Sequence, residues 1–331
     1  MSTIQVINAK HPSSASNNIV LDSSGNATFA GTAAMSSSFL RNRLINGGMQ
    51  IWQRGTTFST GYTADRWFVG FGDSPTFARS TDVPSAAFQF SMSVTGSNFI
   101  TLTQRIESVN TYDLAFLPVT VSFWVKQTSG AGTNSIGVQL FFPTAADNYT
   151  SVTGTTTNLI NGTSGWAYVS TTFAAGALVA QAANGIGLSI YANVAGSSTF
   201  LVTGVQLEVG TVATPFERRL FGQEFMLCQR YFQQVGAGWT GMEENATQFS
   251  MTTPFWVTMR AAPTSSLIST SILTRIPSVS TDRTITGCSI AAIDSSTYAN
   301  WVFFNCSGGN VSGRFIQNRN GANILNVSAE L

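Results

Sequence analysis

The sequence contains little charge. Only 9% of its 331 residues are Asp, Glu, Lys or Arg, and the formal net charge at pH 7 is +1. Its basic residues are scattered, so the chain lacks the basic patch that nucleic-acid binding requires. It also lacks an apolar run of about 18 residues, so we expect no membrane-spanning helix. The start, MSTIQVINAKHPSS, has neither the basic nor the apolar region of a secretory signal, so we expect folding in a cytoplasm.

Histidine and cysteine are also scarce, at one and three residues, which restricts the possible active sites. A Ser-His-Asp triad, a Cys-His dyad or a His-based zinc site would have to use His11, the single histidine. The cysteines, Cys228, Cys288 and Cys306, lack a CxxC spacing. We expect three free thiols, because a cytoplasm keeps thiols reduced, with a Cys288–Cys306 disulfide as the alternative. These residues predict no catalytic centre, metal site or cofactor.

Apolar and aromatic residues, by contrast, make up 43% and 11% of the chain, which is enough for a sizeable core. From residue 41 onward, runs rich in Val, Ile, Phe, Tyr and Thr alternate in polarity and are separated by Gly, Ser, Asn and Thr. PVTVSFWVKQ at 118–127 is one such run. This pattern is typical of the short antiparallel strands of β-sandwiches, and it predicts an all-β fold.

Changes in the pattern divide the chain into four predicted segments. Residues 1–40 form an extended arm for attachment or oligomerisation, 41–220 a β-sandwich, 221–234 a bridging helix, and 235–331 a small C-terminal β-sandwich. Within the arm, residues 19–29 predict a hairpin around an Asp-Ser-Ser-Gly-Asn turn. A disordered tail with a chance turn is the alternative.

The bridging helix is predicted from a helical repeat. Phe221, Phe225, Cys228 and Phe232 recur at spacings that place them on one face of a helix. We expect this face to pack in an apolar seam between the two β domains, where Phe225 and Cys228 have structural roles. A helix that binds a partner is the alternative.

Two sets of short motifs stand out. The first is RNRLINGGMQIWQRG at 41–55 with YTADRW at 62–67; the second is VQLEVG at 205–210, ATPFERR at 213–219 and GQEFMLCQRY at 222–231. Together they resemble fibre and minor structural proteins of tailed bacteriophages. In that family a jelly-roll domain similar to carbohydrate-binding modules begins at the first set and closes at the second. The resemblance therefore implies that residues 41–220 are a jelly roll.

The same resemblance implies a function. It implies a non-enzymatic virion structural protein, a fibre or appendage that recognises a host-surface glycan and is assembled in the host cytoplasm. Other virion proteins would bind residues 1–40. We expect a homotrimer, because linked copies strengthen a weak sugar contact and association protects hairpin edges. The alternatives are a capsid decoration protein and a polysaccharide-depolymerising tailspike, although no carboxylate pair is marked by spacing or motif.

Glycan recognition needs an exposed aromatic ring and a few polar side chains. Trp239 is the best candidate because it lies in a Gly-rich stretch; with Glu243, Glu244 and Asn245 it forms the predicted glycan-binding set. Other tryptophans lie within alternating runs and are expected in the core: Trp124, Trp166, Trp256 and Trp301.

Three further residues, Asp65, Arg66 and Trp67, are interpreted as structural: a buried aromatic beside a carboxylate–guanidinium pair.

Sugar-binding relatives often hold a structural calcium through acidic residues in the first and last strands. This sequence has Gln50 and Thr203 at those places. Because calcium prefers charged oxygen ligands, no calcium site is predicted.

Overall fold

The structure of the chain, a computed structural model, divides into two compact units, residues 1–40 and 41–331. It describes the following residues: 8–9, 12–13, 19–21, 23, 27–29, 41–70, 73–129, 135–161, 164–235, 239–276, 281–307, 315–318 and 323–331. Much of the predicted arm, including His11, lies outside these ranges. Within them, no helix has the length and apolar character needed to cross a membrane.

The N-terminal unit contains a small antiparallel sheet of three strands: β1 (Asn8–Ala9), β2 (Ile19–Leu21) and β3 (Ala27–Phe29). β2 and β3 pair with Ile19 opposite Phe29 and Leu21 opposite Ala27. The predicted hairpin at 19–29 is therefore confirmed. β1 adds to its edge by pairing with β2.

The first part of the larger unit is a ten-stranded sheet. Its strands are β4 (Thr57–Phe58), β5 (Gly61–Tyr62), β6 (Phe68–Gly70), β7 (Asp73–Ser80), β8 (Ser91–Glu107), β9 (Val119–Ser129), β10 (Ser135–Ala145), β11 (Asn148–Asn161), β12 (Ala167–Phe173) and β13 (Gly185–Val209). Short 3₁₀ turns lie at Ser108–Asn110, Ala175–Ala177 and Ala180–Asn184. Alternation explains which face each strand buries: in β9, Val121, Phe123 and Val125 are fully buried, whereas Trp124 is half-buried on the opposite face.

Two long strands, β8 and β13, make this sheet curl. The first half of β13 pairs with β10 and its second half with β9. β8 pairs with β7 near its start and with β6 near its end. Because both strands change neighbours midway, the sheet folds over itself and encloses a core that includes Trp67, Phe123, Phe142 and Phe173. The predicted all-β class is confirmed.

The remainder of the larger unit contains two more sheets. Its strands are β14 (Phe232–Val235), β15 (Thr240–Asn245), β16 (Gln248–Pro254), β17 (Thr264–Leu267), β18 (Ile272–Ile276), β19 (Thr281–Ile285), β20 (Ser289–Ser295), β21 (Ala299–Asn305), β22 (Phe315–Asn318) and β23 (Leu325–Ser328). One sheet has the order β14-β23-β17, and the other the order β19-β18-β22-β15-β16-β21-β20. They share a second hydrophobic core, in which Phe249 and Phe304 stack with centroids 4.7 Å apart.

All three cysteines are free and buried, so the expectation of three free thiols is confirmed and the alternative Cys288–Cys306 disulfide is not formed. Cys288 and Cys306 belong to the C-terminal core. Burial raises the pKa of the Cys288 thiol to about 11, so the thiol is protonated at neutral pH.

The helix is shorter than the sequence predicts and buries a different face. α1 spans Phe221–Gln229, not 221–234, and Phe232 begins β14, which pairs with β23. The expected apolar seam is also wrong: Phe221 is 60% exposed and stacks on Phe225, which is only half-buried. Cys228 is fully buried, as predicted.

The face that α1 does bury is partly polar. The buried Glu224 carboxylate accepts a hydrogen bond from the Asn46 backbone N–H and forms an ion pair with Arg219 at 3.2 Å. The Arg219 guanidinium also donates to the Leu44 carbonyl at 2.9 Å. The helix is therefore held to the residues before β4 through a charged pair.

This geometry predicts that a charge destabilises the protein less at Phe225 than at Cys228. We expect Phe225→Asp to lower the free energy of unfolding by about 1 kcal/mol, mainly through loss of the stacked pair with Phe221. Cys228→Asp should cost more than about 3 kcal/mol, because it places a second carboxylate in a fully buried position near Glu224. Urea denaturation of both variants provides the test. An equal decrease in the free energy of unfolding for the two variants would contradict the burial pattern of α1.

A charged cluster, rather than an apolar seam, joins the two cores. The guanidinium of Arg66 and the carboxylate of Glu330 form an ion pair, and their side chains are 1% and 6% exposed. Glu330 also pairs with Arg54 at 2.9 Å. The Arg66 guanidinium lies over the Tyr231 ring, 3.4 Å from its centroid. Together these contacts bind the C-terminal sheet to the loop before β6.

The expected pairing of Asp65 with Arg66 is wrong. Asp65 accepts hydrogen bonds from the backbone and side chain of Gln53 and lies 3.7 Å from the Arg54 guanidinium. Arg66 has a φ of +74°, so the chain turns sharply between the two side chains. Burial raises the pKa of the Asp65 carboxyl, and Arg54 opposes this effect. Trp67 is fully buried beside them, as predicted.

Candidate functional site

The predicted glycan-binding set does not form an exposed surface. Trp239 is only 8% exposed and belongs to the C-terminal core, so the expectation that it is exposed is wrong. Its carbonyl accepts a hydrogen bond from the Asn318 N–H, which holds it against β22. Glu243 is fully buried and forms an ion pair with Arg283.

The other two members of the set have local partners. Glu244 accepts a hydrogen bond from the Ser250 hydroxyl at 2.6 Å. Asn245 accepts one from the Thr247 N–H and donates one to the Gln248 side chain, both at 2.9 Å. These contacts are typical of a hairpin turn between β15 and β16.

The exposed tryptophans are ones that the sequence places in the core. Trp256 is 72% exposed and Trp301 is 48% exposed, so both expectations are wrong. Trp124 and Trp166 are half-buried. β16 ends at Pro254, so the strand alternation that would bury Trp256 does not extend to it.

An open groove beside β9 and β12 is lined by four aromatic rings, of which Tyr168 is exposed, Trp124 and Phe216 are half-buried and Phe88 is buried. It has a volume of about 580 Å³, and we refer to it as the aromatic groove. Trp124 and Tyr168 are directly opposed on these strands, with ring centroids 5.3 Å apart and planes at 48°. A second pair, Phe88 and Phe216, has centroids 5.4 Å apart. The complete lining is Ser85, Ala87, Phe88, Trp124, Tyr168, Ala213, Thr214, Pro215, Phe216 and Arg218.

The wall of the aromatic groove is the segment after β13, and polar contacts fix its position. The buried Glu208 carboxylate accepts hydrogen bonds from the N–H and hydroxyl of Thr214, at 2.8 and 2.6 Å. The Tyr168 hydroxyl donates to the Thr214 carbonyl at 2.9 Å. Gln206 accepts a hydrogen bond from the Glu217 N–H at 2.8 Å. The wall is therefore held at both ends, and the groove is preformed.

A glycine, Gly204, lies against two of the rings that line the groove. Gly204 has a φ of +64°, which favours glycine, and a Cβ atom there would lie 2.9 Å from the Phe88 ring and 3.1 Å from the Trp124 ring. The register of β13 on β9 shifts at this point, between Thr203 and Gln206. A side chain at Gly204 would therefore displace at least one of these two rings.

Lys126, two residues after Trp124 on the same face of β9, takes part in an ion pair. Trp166 lies just before β12, two residues before Tyr168. Asp82 accepts hydrogen bonds from the Lys126 ammonium at 2.7 Å and from the Trp166 indole N–H at 2.8 Å. Both donors lower the pKa of the Asp82 carboxyl, the ammonium most strongly.

The lining suits binding of a flat, partly apolar ligand that also carries hydroxyl groups. Trp124, Tyr168 and Phe216 are partly exposed and offer apolar faces, and the exposed Ser85 hydroxyl offers a hydrogen bond. Partial burial raises the pKa of the Tyr168 hydroxyl further above its ordinary value, so the group is neutral at neutral pH. Sequence reasoning missed this site, although the alternation of residues 118–127 already places Trp124 opposite the buried Phe123 and Val125.

A second groove, of about 550 Å³, lies beside β14, β17 and β23. Its aromatic residue, Phe232, is buried, and the Arg54 guanidinium stacks on it at 3.6 Å. Because Arg54 is also paired with Glu330, this groove offers mainly hydroxyl and amide groups. It is the weaker candidate for a ligand with apolar faces.

Gln50 and Thr203 are the two positions that the sequence compares with calcium ligands of sugar-binding proteins. Their side chains do not suit a calcium ion. The Thr203 hydroxyl is fully buried and donates to the Phe90 carbonyl at 2.9 Å, and Gln50 supplies no carboxylate. In the part of the chain that the structure describes, no group of three or more His, Cys, Asp or Glu side chains could hold a metal ion.

Comparisons with known proteins give no sequence match and a partial structural one. No protein-family model matches the chain, and no curated protein matches it. The CBM22-1 xylan-binding domain of Paenibacillus barcinonensis Xyn10C is 12% identical with a TM-score of 0.36, over 55% of this chain and 100% of that one. The family 11 carbohydrate-binding module of Lic26A-Cel5E from Clostridium thermocellum is also 12% identical, with a TM-score of 0.36 over 54% of this chain and 99% of that one. The enzymatically active domain of tailspike protein 4 from bacteriophage CBA120 is 13% identical, with a TM-score of 0.35 over 51% of this chain and 21% of that one.

Proposed function

We propose that this chain is a non-enzymatic structural protein of a bacteriophage virion, a fibre or appendage that binds a host-surface glycan in the aromatic groove. The observation that carries the glycan proposal is the opposed Trp124–Tyr168 pair in a preformed groove of about 580 Å³. The virion proposal rests on the motif resemblance at 41–67 and 205–231.

The chemistry of the lining supports binding rather than hydrolysis. Glycoside hydrolysis commonly uses two carboxylates on either side of the scissile bond. The ten lining residues are aromatic, small, hydroxyl-bearing or Pro, with Arg218 as the one charged member. Two acidic residues beside the wall are already engaged: Glu208 is buried and accepts hydrogen bonds from Thr214, and Glu217 accepts one from the Asn42 N–H at 2.7 Å. Such a lining suits stacking and hydrogen bonding to a sugar.

We expect Trp124→Ala to weaken glycan binding at least tenfold, because a central aromatic residue commonly contributes more than about 1.4 kcal/mol to binding. Affinity electrophoresis in gels containing bacterial capsular and cell-wall polysaccharides measures this loss. Trp256→Ala is the matched control, since Trp256 is 72% exposed but does not line the groove. Equal retention of Trp124→Ala and the unaltered protein, with both folded, would contradict the proposal.

Attachment to the virion is assigned to residues 1–40, which form a compact unit separate from residues 41–331. We extend the proposal to a homotrimer, because three linked grooves would strengthen a weak single contact. Deleting residues 1–38 tests both parts. Loss of virion incorporation and of the trimer mass in light scattering is the expected result, and retention of both would contradict it.

Electron microscopy distinguishes a fibre from a capsid decoration protein. An antibody against residues 239–331 should label the tail or neck of virions if the chain is a fibre or appendage. Label over the whole shell would instead favour decoration, and virions without label would contradict a virion role.

A further inference from the structure

The aromatic groove has a cationic rim. Arg218 is exposed and lines the groove together with Trp124 and Tyr168. Neither an ion pair nor a side-chain hydrogen bond is formed by Arg218 within the described residues, in contrast to Arg219 next to it, which pairs with Glu224. An exposed guanidinium beside an aromatic surface is suited to an anionic ligand group, because its planar N–H donors match a carboxylate.

The acidic side chains near the groove are already engaged. Glu208 is buried and accepts hydrogen bonds from Thr214 and Gln206. Asp82 is paired with Lys126 at 2.7 Å. Glu217, next to Arg218 in the chain, accepts a hydrogen bond from the Asn42 N–H at 2.7 Å. Among the ten residues that line the groove, Arg218 is the one charged side chain, and it favours an anionic ligand group there.

We propose that the ligand of the aromatic groove is an acidic glycan, in which a sugar ring packs on Trp124 and Tyr168 and a carboxylate or phosphate substituent binds Arg218. This inference rests on the proposed glycan binding and adds the ligand class. Carboxylate and phosphate groups share the oxygen geometry that a guanidinium binds. The rim contact is exposed, so it contributes to selectivity and is screened by salt.

The test uses the full chain and affinity electrophoresis against matched polymers. One arm compares uronic-acid polysaccharides with their carboxyl-reduced forms, and the other compares phosphate-bearing wall polymers with their dephosphorylated forms. The variants are Arg218→Gln, Trp124→Ala and Arg275→Gln. The last removes a positive charge from β18, outside the groove, and is the matched control for charge.

We expect Arg218→Gln to weaken binding to one class of acidic polymer about tenfold at low salt and less at high salt. The neutralised polymer should bind the unaltered protein and Arg218→Gln equally. Arg275→Gln should bind like the unaltered protein. The arm that responds identifies the substituent as carboxylate or phosphate.

Three outcomes overturn the inference, and they are distinguishable. If Trp124→Ala loses binding but Arg218→Gln does not, the groove binds a neutral glycan and the proposed function stands. If Arg275→Gln weakens binding as much as Arg218→Gln, the attraction is non-specific. If Trp124→Ala binds like the unaltered protein, or if no polymer is retained, the proposed function itself fails.

Discussion

Replacing Glu330 by alanine is expected to lower the free energy of unfolding by about 3–5 kcal/mol, because it leaves a buried guanidinium without its carboxylate. Arg66 and Glu330 are almost completely removed from solvent, at 1% and 6% side-chain exposure. Arg66 would keep its hydrogen bond to the Arg105 carbonyl at 2.6 Å and its stacking on Tyr231. Neither group supplies the lost negative charge.

A double variant distinguishes the ion pair from simple loss of packing. Arg66→Met combined with Glu330→Ala removes both charges, so it should be more stable than Glu330→Ala alone. Asp113→Ala is the surface control: it breaks the pair with Arg43, in which the side chains are 40% and 26% exposed, and should cost less than about 1 kcal/mol. Urea unfolding of the full chain measures all three. If Glu330→Ala lowers the free energy of unfolding no more than Asp113→Ala does, the described role of the Arg66–Glu330 ion pair is contradicted.

The second large effect is expected at Trp67. Trp67→Ala should cost about 3–5 kcal/mol, because it empties a large volume in the first core. The indole N–H donates to the Asn46 carbonyl at 3.0 Å, so the substitution also removes a buried hydrogen bond. Asn46 in turn donates to the carbonyls of Ile51 and Asp65, which makes Trp67 part of the packing of residues 46–65.

Thermal and urea unfolding measure this loss, with Trp256→Ala as the control for removing an indole from the surface. Because Trp256 is 72% exposed, its substitution should change the free energy of unfolding by no more than about 0.5 kcal/mol. Similar values for Trp67→Ala and Trp256→Ala would contradict the burial described here.

The fold class could be predicted from local pattern because strand alternation is a local property. Residues 119–125 show this, with Val121, Phe123 and Val125 inward and Trp124 outward. The same reasoning fails where a residue fits both the helical repeat and the strand repeat. Phe232 fits both the helical repeat from Phe221 and the start of a strand, and pairing with β23, more than ninety residues later in the sequence, decides for the strand.

The charged cluster that joins the two cores could not be predicted for a related reason. Asp65 and Arg66 are neighbours in sequence, yet the partner of Arg66 is Glu330, 264 residues away. The aromatic groove likewise combines β9, β12 and the segment 213–218, and its wall depends on hydrogen bonds at Gln206 and Glu208. Sequence motifs point to these segments but not to their contact.

Hydrogen–deuterium exchange of the full chain, with and without an oligosaccharide from a retained polysaccharide, tests the central claim most directly. Binding in the aromatic groove should slow exchange of backbone amides in residues 166–170 and 213–218. Residues 264–268, which line the second groove, should exchange at an unchanged rate. Protection confined to 264–268, or spread equally over both regions, would contradict the assignment of glycan binding to the Trp124–Tyr168 groove.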